Sequence, residues 1–137
     1  MTLRAIVAGD AEPFLDALVT LVLDLEDRLE VVGWARDQEE AVLLASRTCP
    51  DIALVSAKTP PIDGVEAAYE ILATNPACRV IILGEDAAVA EVERAWSAGA
   101  AGYVTLDAFS LDLLALALSA EESRLQTRAS FPALALP

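Results

Sequence analysis

Histidine is missing from the 137 residues, and lysine occurs once, at Lys58. Without an imidazole the chain has no histidine base to activate a nucleophile, no histidine metal ligand and no histidine to donate a phosphoryl group. Any role that needs a lysine away from position 58 is excluded as well. The two cysteines, Cys49 and Cys78, lack zinc-site spacing. Each precedes an expected strand, and both read as small buried thiols of a reducing compartment, with nothing to support a redox pair. Glycine is sparse after the first expected strand: Ala8-Gly9-Asp10-Ala11-Glu12 is neither a dinucleotide fingerprint nor a Walker loop. No apolar run has the length of a membrane span, and Met1 to Arg4 does not open a signal peptide. A cytoplasmic protein without a membrane partner is expected. Basic residues are few, nine against 22 acids, for a net charge of −13. A domain so acidic is not expected to touch nucleic-acid phosphates. Its acidic surface is either simply solvated or docks a basic partner. With no nucleophile–base pair in view, the chain reads as a non-enzyme needing no cofactor.

What is present is apolar, 55% of the residues, in a length that suits one domain with a substantial core. Leu3 to Ala8 is an expected strand, followed by a turn and a first helix that starts near Asp10 or Ala11 with Pro13 in its first turn. Phe14, Leu18, Leu21, Val22 and Leu25 would form that helix's apolar face. Leu29 to Ala35 is the second strand. Asp37-Gln38-Glu39-Glu40 opens a second helix with acids at its positive end, with Ala41, Leu44 and Ala45 buried, and Pro50 stops it. Asp51 to Val55 is the third strand. Gly64 to Asn75 is the third helix, with Val65, Ala68, Tyr69 and Leu72 on one face, broken at Asn75-Pro76. Arg79 to Leu83 is the fourth strand, Ala87 to Ala98 a fourth helix closed by Gly99, Ala101 to Val104 the fifth strand, and Ala108 to Glu122 a fifth helix. Strand–helix alternation of this kind demands a parallel sheet with right-handed crossovers. The expected fold is α/β: a flavodoxin-like doubly wound five-stranded parallel sheet, order 2-1-3-4-5, with five helices. Residues 1–122 would form the domain. Residues 123–137 read as a tail or interdomain linker, with Phe131, Leu134 and Leu136 available to pack on the domain or on a partner.

The centre of the chain is Asp51-Ile52-Ala53-Leu54-Val55-Ser56-Ala57-Lys58-Thr59-Pro60-Pro61-Ile62-Asp63-Gly64. A short continuous apolar run between prolines reads as a strand covered on both faces, and chemistry in such sheets sits at the carboxyl ends of strands. The stretch resembles the phosphoacceptor segment of response-regulator receiver domains, the CheY-like fold. Pro60, Asp63 and Gly64 match that pattern, while the acceptor position holds Ser56. Further echoes are Glu30 to Ala35, Pro50-Asp51-Ile52, Gly64-Val65-Glu66-Ala67, Arg79 to Leu83 and Ala98 to Tyr103, closest to the NarL/FixJ branch. The resemblance covers Leu3 to Glu122.

The resemblance implies a set of groups at the strand ends that this sequence mostly lacks. Two acids after the first strand hold Mg²⁺ in the family; here they are Gly9 and Asp10, so Asp10 is the only retained acid and no metal site is expected. The acceptor aspartate is Ser56, which cannot form an acyl phosphate. The hydroxyl residue at the end of the fourth strand is Gly84, and the lysine that pairs with the phosphoryl group falls at Leu106. The pocket thus reads as degenerate, a pseudo-receiver. Ser56 is either a small residue closing it or a serine-kinase target, and Lys58 is either a solvated loop residue or a cation reaching Asp10. Tyr103 matches the family's switch aromatic and is expected fixed, inward or outward. Trp96 is either core or an aromatic anchor on the face made by the fourth helix, fifth strand and fifth helix, through which the family pairs with partners and itself. Leu111, Leu113, Leu114, Leu116 and Leu118 wrap too far around the fifth helix for one buried stripe, which suggests homodimerisation there or tail packing.

Two functions follow from the resemblance. One is an atypical receiver that works in signal transduction by protein–protein interaction, with a protein partner and without aspartate phosphorylation. The other is the N-terminal regulatory part of a NarL-type DNA-binding transcription regulator whose output domain lies beyond this chain.

Overall fold

A computed structural model of the chain describes residues 3–9, 16, 18, 28–59, 62–85 and 88–106, excepting the side chains of 58, 59 and 62. Five strands form one parallel sheet: β1 (Leu3–Ala8), β2 (Leu29–Ala35), β3 (Ile52–Ser56), β6 (Arg79–Gly84) and β7 (Gly102–Thr105), in the order β2-β1-β3-β6-β7. This is the expected 2-1-3-4-5 order, and the strand limits agree with the sequence reading to within a residue or so. The interior strands are apolar on both faces because both faces are covered: every residue of β3 is buried, and in β6 only Arg79 is not.

Among the described residues three helices cover one face: α1 (Gln38–Thr48), α2 (Gly64–Thr74) and α3 (Val89–Ser97). They are the second, third and fourth of the expected series. Their inner stripes are rich in alanine (Ala41 and Ala45, Ala67 and Ala68, Ala95), which lets the helices lie close upon Ile6, Ala53, Val55, Val80 and Ile82 of the sheet. Ala5, Val7, Leu54, Ile81 and Val104 are buried on the alternate positions of the same strands, as is Leu18. The expected fifth helix lies outside the described residues, and of the first only Asp16 and Leu18, both helical, lie within them.

Capping residues set the helix limits. The Asp37 carboxylate accepts from the Glu40 amide at 2.8 Å, and the Glu40 carboxylate accepts in turn from the Arg36 amide at 2.7 Å. The Asp63 carboxylate caps α2 by accepting from the Val65 and Glu66 amides at 3.1 and 3.3 Å. At the far end of α3 the Gly99 amide donates to the Trp96 carbonyl and the Ala100 amide to the Ala95 carbonyl, both at 3.0 Å. That pair of bonds is a Schellman closure and bears out the glycine stop.

Three expectations need correction. The sequence reading has no strand between the third strand and the third helix, yet Lys58–Thr59 (β4) and Ile62–Asp63 (β5) pair antiparallel as a two-stranded hairpin. Tyr69, placed on one face with Val65 and Ala68, does not share their burial and is 65% exposed. The buried residues of α2 are Gly64, Val65, Ala67, Ala68 and Ile71; Val65 already stands at the rim of that stripe, and a residue four further on is turned about 40° beyond it. Cys78 is buried, but Cys49 is exposed, because it stands past the last turn of α1 in a left-handed conformation, φ 46°.

Candidate functional site

The carboxyl ends of β1, β3, β6 and β7 lie side by side, and the register fixes which residues meet there. Ala8 pairs with Val55, Ser56 with Leu83, and Gly84 with Thr105. Hydrogen bonds carry the alignment just past the strands: Gly9 donates to Ala35 O at 3.0 Å, Ala57 to Leu83 O at 2.9 Å and Leu106 to Gly84 O at 2.9 Å. Gly9, Ser56, Gly84 and Leu106, singled out from four separate stretches of sequence, are therefore brought to one edge of the sheet.

Each of these positions has its own geometry. Gly9 adopts φ 149°, a conformation open to glycine and strained for an L side chain. Ser56 is 3% exposed and is the buried polar side chain of this edge. The Gly64 amide donates to Ala57 O at 2.9 Å, so the β4–β5 hairpin folds straight back and starts α2 against the exit of β3. Asp63, at the hairpin's end, faces outward, capping α2 and approaching the Arg94 guanidinium at 3.5 Å with both side chains near half exposed. The Lys58 side chain, and Asp10 with it, lie outside the described residues.

Tyr103 lies directly over Gly84. A Cβ added there would run into the Tyr103 hydroxyl, lie 2.9 Å from Tyr103 Cζ and 3.1 Å from Ala57 Cβ. Tyr103 is 2% exposed and belongs to the core cluster beneath α2 and α3. Of the two expected states of this aromatic, the inward one is present, and its phenol occupies the volume that a larger residue at 84 would take. Sequence reasoning noted both residues and did not connect them. The signal was there in principle, since a glycine where a hydroxyl residue is usual leaves room that a neighbouring ring can fill.

The expected interface residues are divided. Trp96 on α3 is half-buried and packs against the core cluster. Leu113 and Leu116 lie outside the described residues. Among the described residues no group of three or more His, Cys, Asp or Glu side chains is placed to hold a metal ion. No described helix is long and apolar enough to cross a membrane.

Comparison with known proteins agrees with the fold. Over 107 residues the chain is 36% identical to the transcriptional regulatory protein DesR of Bacillus subtilis, covering 78% of this chain and 52% of that protein. It is 29% identical over 119 residues to the probable transcriptional regulatory protein NarL of Mycobacterium tuberculosis, covering 87% and 55%. The chain thus spans about half the length of the curated relatives it matches. Among solved structures, the signal receiver domain of the M. tuberculosis NarL superposes with a TM-score of 0.70 at 29% identity, over 78% of this chain and 86% of that one. A two-component response regulator of the LuxR family from Aurantimonas gives 0.73 at 28%, over 88% and 87%. Residues 6–117 match the response regulator receiver domain, and the chain belongs to that family, with NarL- and LuxR-type regulators among its relatives.

Proposed function

We propose that this receiver domain works in signal transduction through protein contacts and without phosphorylation of an aspartate. The observation that carries the reading is Ser56, buried at the end of β3 where the family's acceptor stands. A serine hydroxyl is neutral and forms no acyl phosphate. Phosphoryl transfer also depends on metal and cation neutralising the transferred group. Magnesium prefers several hard oxygen ligands, and Gly9, Ser56, Gly84 and Leu106 contribute no carboxylate to this edge. Asp10 remains as the one acid of the set, so these residues do not fit the family's magnesium site. The phenol of Tyr103 over Gly84 supports the same reading, since the aromatic already fills the space beside the pocket. The domain is read as non-enzymatic, with α3, β7 and residues 108–122 as its proposed self-association face.

The test is a titration with Mg²⁺ and beryllium fluoride, a mimic of the bound phosphoryl group, followed by the fluorescence of Trp34 and Trp96 and by light scattering. Neither signal changes if the reading is right. A saturable change in either would mean that the pocket still binds a phosphoryl-like ligand.

A second reading is favoured by the relatives: several are named as transcriptional regulators, and this chain spans about half of their length. Under it, the domain is the regulatory half of a DNA-binding protein. An immunoblot of the native protein against this domain separates the two, a band near 14.4 kDa favouring a stand-alone module and a clearly larger one an attached output domain.

A further inference from the structure

The largest described side chain left in solvent on the helical face is Tyr69, and it stands between two grooves. One, of about 760 Å³, runs between α1 and α2 over Val42, Leu43 and Ala73, with Glu39 and Glu70 on its rim. The other, of about 620 Å³, runs between α2 and α3 over Val65 and Ala90, with Glu66, Glu93 and Arg94 as its charged lining. Tyr69 lines both. Leu43 is 47% exposed beside it, so an aromatic and an aliphatic side chain form an apolar ridge that none of the described residues covers.

Charge decides what would cover it. The three helices carry Glu39, Glu40, Glu66, Glu70, Glu91 and Glu93 against Arg47 and Arg94. Arg94 is already engaged, at 3.2 Å from Glu91 and 3.5 Å from Asp63. The Gln38 amide donates to both the Glu66 and the Glu70 carboxylates, at 3.0 and 2.8 Å, and so holds two rim acids in place before anything binds. A second copy of this chain would set the same acids against themselves, and like-charge contact of that kind works against pairing. A cationic occupant meets no such penalty. The eleven residues of α1 and of α2 give the groove a length of about 16 Å, three turns of a helix lying alongside. Exposed aromatic anchors with a polar rim are the usual make-up of a helix-binding groove.

We propose that the outer face of α1 and α2, centred on Tyr69 and Leu43, docks a basic amphipathic helix of a partner protein. This surface lies apart from the strand-end pocket, and its assignment stands or falls independently of the phosphorylation reading.

The probe is a synthetic amphipathic helix of about 18 residues, with a leucine stripe flanked by lysines, titrated into the ¹⁵N-labelled 137-residue chain. Two control peptides replace lysine by glutamate or leucine by serine. The expected result is saturable binding with amide shifts centred on Leu43, Tyr69 and Ala73, lost with either control. Tyr69→Ala, at an exposed position that the fold does not need, weakens binding about tenfold or more. Leu43→Ser weakens it too, and Trp34→Ala leaves it unchanged. Shifts scattered over the whole acidic surface, equal binding of the serine peptide, or indifference to Tyr69→Ala would overturn the proposal. So would self-association of the free chain that Tyr69→Ala abolishes, since the occupant would then be a second copy.

Discussion

At the scale of single residues, the pocket is defined by what its neighbours leave room for. Gly84 and Tyr103 are one packing unit, because the ring lies where a side chain at 84 would begin. Gly84→Thr is therefore predicted to cost about 1–3 kcal/mol in urea unfolding, the usual range for overpacking a filled core. In a Tyr103→Ala background the same change costs much less, since the obstacle is gone; an equal cost in both would show that the ring is not what Gly84 accommodates. Cys78 is the other residue whose surroundings set its chemistry. Burial, helped by the negative charge of Asp51, pushes its thiol up to about 12 from 9.0. Between those two values the unfolded chain has lost the proton and the folded one has kept it, so stability is fully present below pH 9 and falls as pH rises towards 12. Cys78→Ala is predicted to remove that part of the alkaline loss, measured by urea unfolding at pH 8 and 10.5 (roughly the window's lower edge and middle). An identical pH slope in the variant would assign the loss to other groups. Of these features the sequence held at most a hint, the glycine at position 84. Composition gave two thiols and two tyrosines, but only the three-dimensional packing decides that Cys49 is exposed and Cys78 buried, or that Tyr103 turns in and Tyr69 out.

At the scale of elements, most limits were legible because they are set by local chemistry. Asp37 and Asp63 are side-chain caps, Gly99 closes α3, and the alternation of apolar runs with helical periodicity placed the strands within about a residue. What local chemistry does not encode was missed. The β4–β5 hairpin is held by two residue pairs and by the return of Gly64 to Ala57, contacts that no periodic pattern announces. The end of α1 just before Pro50 was legible, but its satisfaction by a residue 44 positions away was not: the Arg4 guanidinium donates to Thr48 O at 2.6 Å and to Cys49 O at 3.3 Å. A cation at a helix C-terminus satisfies terminal carbonyls and opposes the helix dipole. Arg4→Ala is predicted to lower stability by about 1 kcal/mol with an unchanged denaturant slope, and Arg4→Lys by less. Full stability in Arg4→Ala would mean that solvent serves those carbonyls as well.

At the scale of the whole molecule, the sheet order was readable because few topologies satisfy repeated strand–helix units, right-handed crossovers and interior strands apolar on both faces. Once that order is set, the strand ends converge without further instruction, and Gly9, Ser56, Gly84 and Leu106 fall together at one edge. The identities at that edge were legible from sequence alone. Their consequence, a pocket occupied from the side by Tyr103, needed the packing. Net charge also acts at this scale: −13 over 137 residues accords with the basic partner proposed above, and contact with such a partner is predicted to weaken as salt rises.

The central claim is that the strand-end pocket has lost phosphoryl chemistry. Its most direct test is the intact mass of the protein after incubation with Mg²⁺ and acetyl phosphate, with a phosphorylatable receiver domain treated in parallel. An unchanged mass is expected while the control gains one phosphoryl group. A hydroxylamine-labile gain of one phosphoryl group on this chain would contradict it, because that lability marks an acyl phosphate and would place an acceptor carboxylate where the account has none.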